Sequence, residues 1–411
     1  MRQFKKVCVV GLGYIGLPTA AVLASRKIEV IGIDIDSTVI DTINNGEVHI
    51  VEPDLDIVVN AAVTQGYLRA SLAAEPADAF LIAVPTPFKE DHEPDLAFVE
   101  AASRAIAPVL KAGNLVILES TSPVGTTEKM AAWLSEERPD LKFPHEHEEG
   151  ADINIAHCPE RVLPGHVLIE LIQNDRVIGG LTPECSDAAK DLYKTFVEAE
   201  MLTTSARTAE MCKLVENSFR DVNIAFANEL SVICDKSDIN VWELIQLANH
   251  HPRVNILQPG TGVGGHCIAV DPWFIVSQAK QDAKLIHTAR LVNDFKPTFV
   301  ADKIYAMAEK HGTKKVSCLG LSFKPDIDDL RESPALEVVR ILAEKELELT
   351  LVEPNIETLP AEFSEHQLAR VEDALQDKNQ VIAILVAHRE FKESSELGSR
   401  KDILDFCGVG L

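Results

Sequence analysis

No run of apolar residues in this chain approaches the ~20 needed to span a bilayer. Its first residues, MRQFKK, lead straight into a strand pattern with no signal-peptide core. Basic residues are scarce: Lys and Arg number 39 against 64 Asp and Glu, a formal net charge of −25. That balance argues against a general nucleic-acid or membrane-surface binder, since both need a basic face. An anionic small ligand is still possible where Arg, Lys and backbone N–H groups are locally concentrated. The eight cysteines include no Cys-x-x-Cys pair and form no short disulfide framework. Scattered thiols of this kind are expected to be reduced, in a cytosol. A length of 411 residues suits two or three domains with ample cores. The expectation is a soluble cytoplasmic α/β protein.

What is present begins with Val7-Cys-Val-Val10, a short apolar run typical of a buried parallel strand. It leads into Gly11-Leu-Gly-Tyr-Ile-Gly16 and then into Ala/Leu-rich sequence at helical period. In this strand–turn–helix context Gly11 makes the tight turn, Gly13 admits a pyrophosphate and Gly16 lets helix pack on strand. Tyr14 and Ile15 lie within the same turn, and the helix N-terminus favours the phosphates. A second apolar run, 28–33, ends at Asp34. A carboxylate there accepts hydrogen bonds from ribose hydroxyls and repels a 2′-phosphate, so NAD is favoured over NADP. Further strands, Phe80-Leu-Ile-Ala-Val84 and Leu115-Val-Ile-Leu118, precede loops carrying Thr86 and Thr127. Both are candidates for cofactor hydroxyl contacts, and both are equally ordinary as turn or N-cap residues. His145-Glu-His-Glu-Glu149 has metal-ligand residue types but nothing to fix their geometry, and reads as a solvated loop; no metal site is expected.

From about residue 204 the chain turns helical, with one long amphipathic helix expected over about 207–234. Met211, Leu214, Val215, Phe219, Val222 and Phe226 form its apolar side. Such a helix between two α/β parts is expected to pack against its copy in a homodimer. Lys213, Asn217 and Arg220 fall on one stripe of one face. A stripe of this kind is usually just solvated, but a Lys and an Asn aimed together can hold water and stabilise an oxyanion. Asn240 reads as an N-cap with Glu243 completing a capping box. Near Lys315 a third part begins, with strands Val316-Ser-Cys-Leu-Gly320, Leu349-Thr-Leu-Val352 and residues 381–386, and a helix from Pro334. This reads as a second doubly wound sheet without the glycine fingerprint. Lys324 and Arg331 are its charged candidates for one nucleotide group. The fold class is therefore α/β, two Rossmann-like domains (residues 1–203 and 301–411) joined by a central helical domain (residues 204–300).

Between these parts lies Gly262-Val-Gly-Gly-His-Cys-Ile-Ala-Val-Asp-Pro-Trp-Phe274. Cys267 stands between a glycine-rich approach and Asp271. A thiolate attacks carbonyls well and its thioesters hydrolyse readily, and the glycines let backbone pass close to a substrate. The alternative is a structural thiol beside a tight turn. His250-His-Pro-Arg253 adds donors able to offset a diphosphate.

Gly11–Gly16, Pro159-Glu160, Lys213-x-x-x-Asn217 and Gly264-Gly-x-Cys267-x-x-x-Asp271 run through essentially the whole chain. On these residues it resembles the UDP-glucose/GDP-mannose dehydrogenase family. Cys158-Pro-Glu-Arg-Val-Leu-Pro164, Arg253-Val-Asn255 and His266 with Ile-Ala-Val after the cysteine resemble the branch acting on UDP-N-acetyl-D-mannosamine. UDP-glucose enzymes typically have Ser before that cysteine and Phe-Pro-Lys after it. UDP-N-acetylglucosamine and UDP-glucose remain alternative substrates; a one-step hydroxyacid dehydrogenase or a non-catalytic NAD-binding protein are more distant ones.

The resemblance implies a four-electron oxidation of the sugar C6 alcohol to a carboxylate with NAD, through a thiohemiacetal and thioester on Cys267. Lys213 and Asn217 are implied to stabilise the oxyanion, Glu160 to serve as base for the hydrolytic water, and Asp271 to position the cysteine site. His266 could be a general base or a turn histidine. The UDP-sugar contacts implied are Arg161, Val162, Lys213, Asn217, Arg220, His251, Arg253, Gly264, Phe323 and Lys324, with Arg331 joining the cofactor contacts. The product would serve bacterial surface polysaccharide, such as enterobacterial common antigen.

Overall fold

The computed structural model describes residues 2–89, 92–163, 165–397 and 403–410. Pro164, which closes the Cys158–Pro164 motif, lies outside the described residues. The chain divides into two units, Met1–Val215 and Glu216–Leu411.

Strands and helices alternate in the first unit. The strands are β1 (Lys6–Val10), β2 (Glu29–Ile33), β3 (Leu68–Ser71), β4 (Ala79–Ile82), β5 (Leu115–Leu118), β6 (Asn154–His157), β7 (Arg176–Gly180) and β8 (Met201–Ser205). Their spatial order is β3-β2-β1-β4-β5-β6-β7-β8. Pairing is parallel throughout except between β6 and β7. A parallel sheet is covered by helices on both faces, so its central strands are apolar on both. Val7 and Val9 accordingly enter one core with Leu12, Leu17 and Leu23. Cys8 and Val10 enter the opposite one with Phe80, Met130 and Phe143. The order 3-2-1-4-5-6 places a topological switch point between β1 and β4, where a nucleotide crevice opens.

The edge strands β3 and β8 were not legible as strands. Their burial is alternating or largely absent, so neither carries the apolar run that marks a covered strand. Residues 204 and 205, read as helical, belong to β8. The long helix follows immediately as Ala206–Lys236 and contains the boundary between the units.

In the second unit, Asn240 caps the helix Val241–Ala248, its side chain accepting the N–H groups of Trp242 and Glu243. The helices Asp271–Gln278 and Lys284–His311 follow. The second sheet comprises β9 (Lys315–Leu319), β10 (Glu348–Val352), β11 (Gln367–Leu368), β12 (Val381–Ile384) and β13 (Ile403–Asp405). It is ordered β11-β10-β9-β12-β13 and parallel throughout. Val316 and Cys318 face one core, Leu319, Ile382 and Ile384 the other. Ser333 caps the helix Pro334–Glu344 through the Leu336 N–H. No helix among the described residues is long and apolar enough to cross a membrane.

Candidate active site

The three fingerprint glycines occupy three different environments. Gly11 has φ +89°, and a Cβ on it would lie 2.6 Å from the Ala83 carbonyl oxygen. A Cβ on Gly16 would lie 1.7 Å from the Gly11 carbonyl oxygen, so helix and turn meet there with no room for a side chain. Gly13 has nothing within 4 Å of that position, which leaves its backbone open to a phosphate group. Asp34, just past β2, accepts the Leu12 N–H at 3.0 Å and the Asp36 N–H at 3.1 Å. Its carboxylate is thus braced against the glycine turn while remaining partly exposed, as ribose recognition requires. Tyr14 is exposed and Ile15 half-buried beside it. These residues fit a dinucleotide.

Other candidates in the first unit have partners of their own. The Thr86 hydroxyl donates to the Thr121 carbonyl at 2.6 Å. Thr127 is fully buried, and its hydroxyl and N–H both donate to one oxygen of Glu210, at 2.6 and 2.7 Å. The other Glu210 oxygen accepts the Gly125 N–H. Glu210 therefore closes the N-terminus of the helix Thr126–Glu137, where a carboxylate meets orphan donors and the helix dipole. Glu160 is buried, accepting the Arg161 N–H at 2.8 Å and the Arg176 guanidinium at 2.9 Å. Arg161 also donates to the Asp175 carbonyl, and Val162 packs on the core. Lys213 is half-buried on the long helix.

In the second unit Cys267 is exposed. Its carbonyl accepts the N–H groups of Val270 and Asp271, so the cysteine rides on the turn that starts the helix Asp271–Gln278. Asp271 is buried and accepts from the Asn217 amide at 2.5 Å. This bond, across 54 positions, ties the cysteine turn to the long helix. The approach to Cys267 is packed backbone on loop. A Cβ on Gly264 would lie 2.3 Å from the Glu332 carbonyl oxygen, and one on Gly265 (φ +77°) 2.8 Å from the Phe323 ring. Phe323 and the exposed Lys324 thus stand on the loop that supports the cysteine turn. Arg331 donates to both oxygens of Asp329. Partial desolvation and the Arg331 charge hold the His266 imidazole below its usual range, despite Asp329, so its neutral form is favoured. Arg220, His251 and Arg253 are exposed.

Sequence reasoning missed the acids that hold these turns. Glu353 directly follows β10 as Asp34 follows β2. It accepts the Leu321 and Ser322 N–H groups, the Asn355 amide and the His388 ring. Burial pushes its carboxyl up, but the His388 bond and the backbone donors outweigh this and bring it to about 2. Its position after a strand was the available signal. Being engaged by three loops at once, Glu353 leaves nothing for a ribose, whereas Asp34 keeps an accessible edge. Asp326, His388 and Glu390 are the one metal-like cluster among the described residues, but His388 Nδ1 already accepts the Asp326 N–H at 2.9 Å.

Comparison with known proteins agrees with this geometry. Residues 5–197 match the NAD binding domain of the UDP-glucose/GDP-mannose dehydrogenase family, 207–295 its central domain and 317–409 its UDP binding domain. The chain is 63% identical over 412 residues to the UDP-N-acetyl-D-mannosamine dehydrogenase of Campylobacter jejuni, covering 99% of this chain and 100% of the relative. It is 62% identical over 410 residues to the NDP-N-acetyl-D-galactosaminuronic acid dehydrogenase of Ralstonia nicotianae, covering 99% and 96%. Among solved structures, the UDP-D-ManNAc dehydrogenase of Pyrococcus horikoshii superposes with a TM-score of 0.87 at 40% identity, covering 98% and 96%. The chain belongs to the UDP-glucose/GDP-mannose dehydrogenase family and is an NAD-dependent UDP-sugar dehydrogenase.

Proposed function

We propose that the chain oxidises the C6 alcohol of UDP-N-acetyl-D-mannosamine to the carboxylate through a covalent intermediate on Cys267. The observation that carries this is the exposed thiol on a glycine-lined turn, backed by the part-buried Asn217–Asp271 pair. NAD, when bound, takes up the hydride of each oxidation. The Cys267 thiolate adds to the C6 aldehyde, and the resulting oxyanion takes a proton to give the thiohemiacetal. Loss of the second hydride, with the hydroxyl proton released to solvent, leaves a thioester. Water then attacks its carbonyl carbon, giving its proton to Glu160, and the carbon–sulfur bond breaks to return the thiolate. Lys213 and the Asn217 amide are the donors for the oxyanion, and Asp271 positions Asn217. Neutral His266 is a second candidate for proton transfer.

The mannosamine substrate is supported by the 63% identity to the Campylobacter jejuni enzyme and by the residues around Cys267. The 62% identity to an N-acetylgalactosaminuronic acid dehydrogenase makes UDP-N-acetylgalactosamine the second reading. The contacts implied for the nucleotide sugar and NAD, and the division at residues 203 and 300, are part of the proposal. So are cytoplasmic action, supported by eight scattered cysteines with no Cys-x-x-Cys pair, supply of a surface polysaccharide such as enterobacterial common antigen, and a homodimer through the long helix.

The test is to give limiting UDP-N-acetylmannosamine with excess NAD and count NADH per sugar. Two are expected; one overturns the thioester, and none, with turnover of the galactosamine, glucosamine or glucose analogue, overturns the substrate. Cys267→Ala is expected to abolish carboxylate formation while retaining NAD binding.

A further inference from the structure

Four elements of the first unit converge on a buried charged cluster of which the mechanism above uses only Glu160. Glu119 follows β5, Cys158 and Glu160 follow β6, Arg176 opens β7 and Tyr193 ends the helix Pro183–Tyr193. All five are buried. The Tyr193 hydroxyl donates to Glu119 Oε1 at 2.6 Å. The Arg176 guanidinium lies over the Tyr193 ring, 4.7 Å from its centroid. It donates to Glu160 Oε2 at 2.9 Å, with a longer contact of 3.8 Å to Cys158 Sγ. The Arg161 N–H occupies the remaining oxygen of Glu160, whereas Glu119 Oε2 is buried with no hydrogen-bond partner.

Two buried carboxyls share one guanidinium here, and two anions would leave an uncompensated buried charge. The hydrogen bonds show which carboxyl holds it. Burial pushes the Glu119 carboxyl up to about 7, against the pull of Arg176 and with a further push from Glu160. With Glu119 neutral, Glu160 is the carboxylate that pairs with Arg176.

We propose that Arg176, braced by Tyr193 and Glu119, is the positioning residue that holds the Glu160 carboxylate in one orientation for thioester hydrolysis. This rests on the reading of Glu160 as the hydrolytic base. Cys158, Glu119 and Tyr193 are the other titratable groups that face the pair.

The test compares Glu160→Gln, Arg176→Met and Arg176→Lys in the full chain, using UDP-N-acetylmannosamine and NAD. The readouts are the pH profile of kcat, KM, and the single-turnover NADH burst. Glu160→Gln is expected to show a burst followed by blocked hydrolysis; normal hydrolysis by it overturns the base reading itself. Arg176→Met is expected to keep the burst, lower kcat roughly tenfold or more at pH 7, and move the acid limb of the profile to higher pH with little change in KM. Arg176→Lys keeps the charge but not the planar fork, and covers failure of the methionine variant to fold. It is expected to show a smaller shift in the same direction. A wild-type profile in a folded Arg176 variant, with Glu160→Gln blocked, overturns the proposal alone.

Discussion

Eight cysteines of one chemistry separate into different roles by burial. Burial pushes the thiols of Cys158 and Cys318 up, to about 11 and about 12, and raises Cys8 as well. Such thiols pack as small apolar groups, whereas Cys267 is exposed. Asp34 shows the converse, a polar group whose surroundings keep it available. Its two backbone donors fix the carboxylate without covering it. Asp34→Ala removes the carboxylate proposed for the ribose and the brace on Leu12 together. Hydrogen bonds to a charged group are worth ~1.5–3 kcal/mol, so NAD affinity is expected to fall roughly 10- to 100-fold in a calorimetric titration. UDP-sugar affinity should be nearly unchanged, and equal losses would count against the ribose assignment.

At the scale of elements, the loops are held by close packing as much as by hydrogen bonds. The contacts of Gly264 and Gly265 with Glu332 and Phe323 mean that the cysteine turn and the loop after β9 shift together. Gly264→Ala must displace a carbonyl oxygen 2.3 Å away, and overpacking of this kind costs ~1–3 kcal/mol. We expect a raised KM for the nucleotide sugar, roughly tenfold, with NAD affinity retained. An unchanged KM would show that the loop adapts without moving Phe323 and Lys324. The two sheets also show how one topology supports different sites. An acid follows the second strand of each, but Glu353 spends its bonds on the neighbouring loops after β9 and β12 while Asp34 remains open.

For the whole molecule, the long helix leaves apolar surface uncovered within the second unit. Phe219, Phe226 and Ile233 are 72%, 53% and 51% exposed and recur every seven residues, the step of a helix–helix seam. Apolar patches of this kind mark association sites, and a second copy presents the matching stripe. Phe226→Glu with Ile233→Glu is expected to weaken self-association at least tenfold, since interface aromatics commonly carry ~2 kcal/mol. Sedimentation velocity checks this: a wild-type monomer, or a charged variant that stays dimeric, sinks the dimer.

Much of the fold was legible because its signals are local. Gly11, Gly13, Gly16 and Asp34 announce the first crevice because a positive φ, a close approach and a strand-end acid each restrict the residue that can serve. The apolar runs of β1, β2, β4 and β5 followed from burial on both faces, and the long helix from its period. The edge strands β3 and β8 escaped because an uncovered strand needs no such run.

The sequence by itself therefore determined the crevice, the two sheets, the helix and the cysteine turn. Only the tertiary structure decided which charges meet. Tyr193 reaches Glu119 across 74 positions, Asn217 reaches Asp271 across 54, and Arg176 takes Glu160 rather than Glu119. Charge pairing and burial depend on distance in space and on the loss of water around each group, and neither is written in the spacing of residues along the chain.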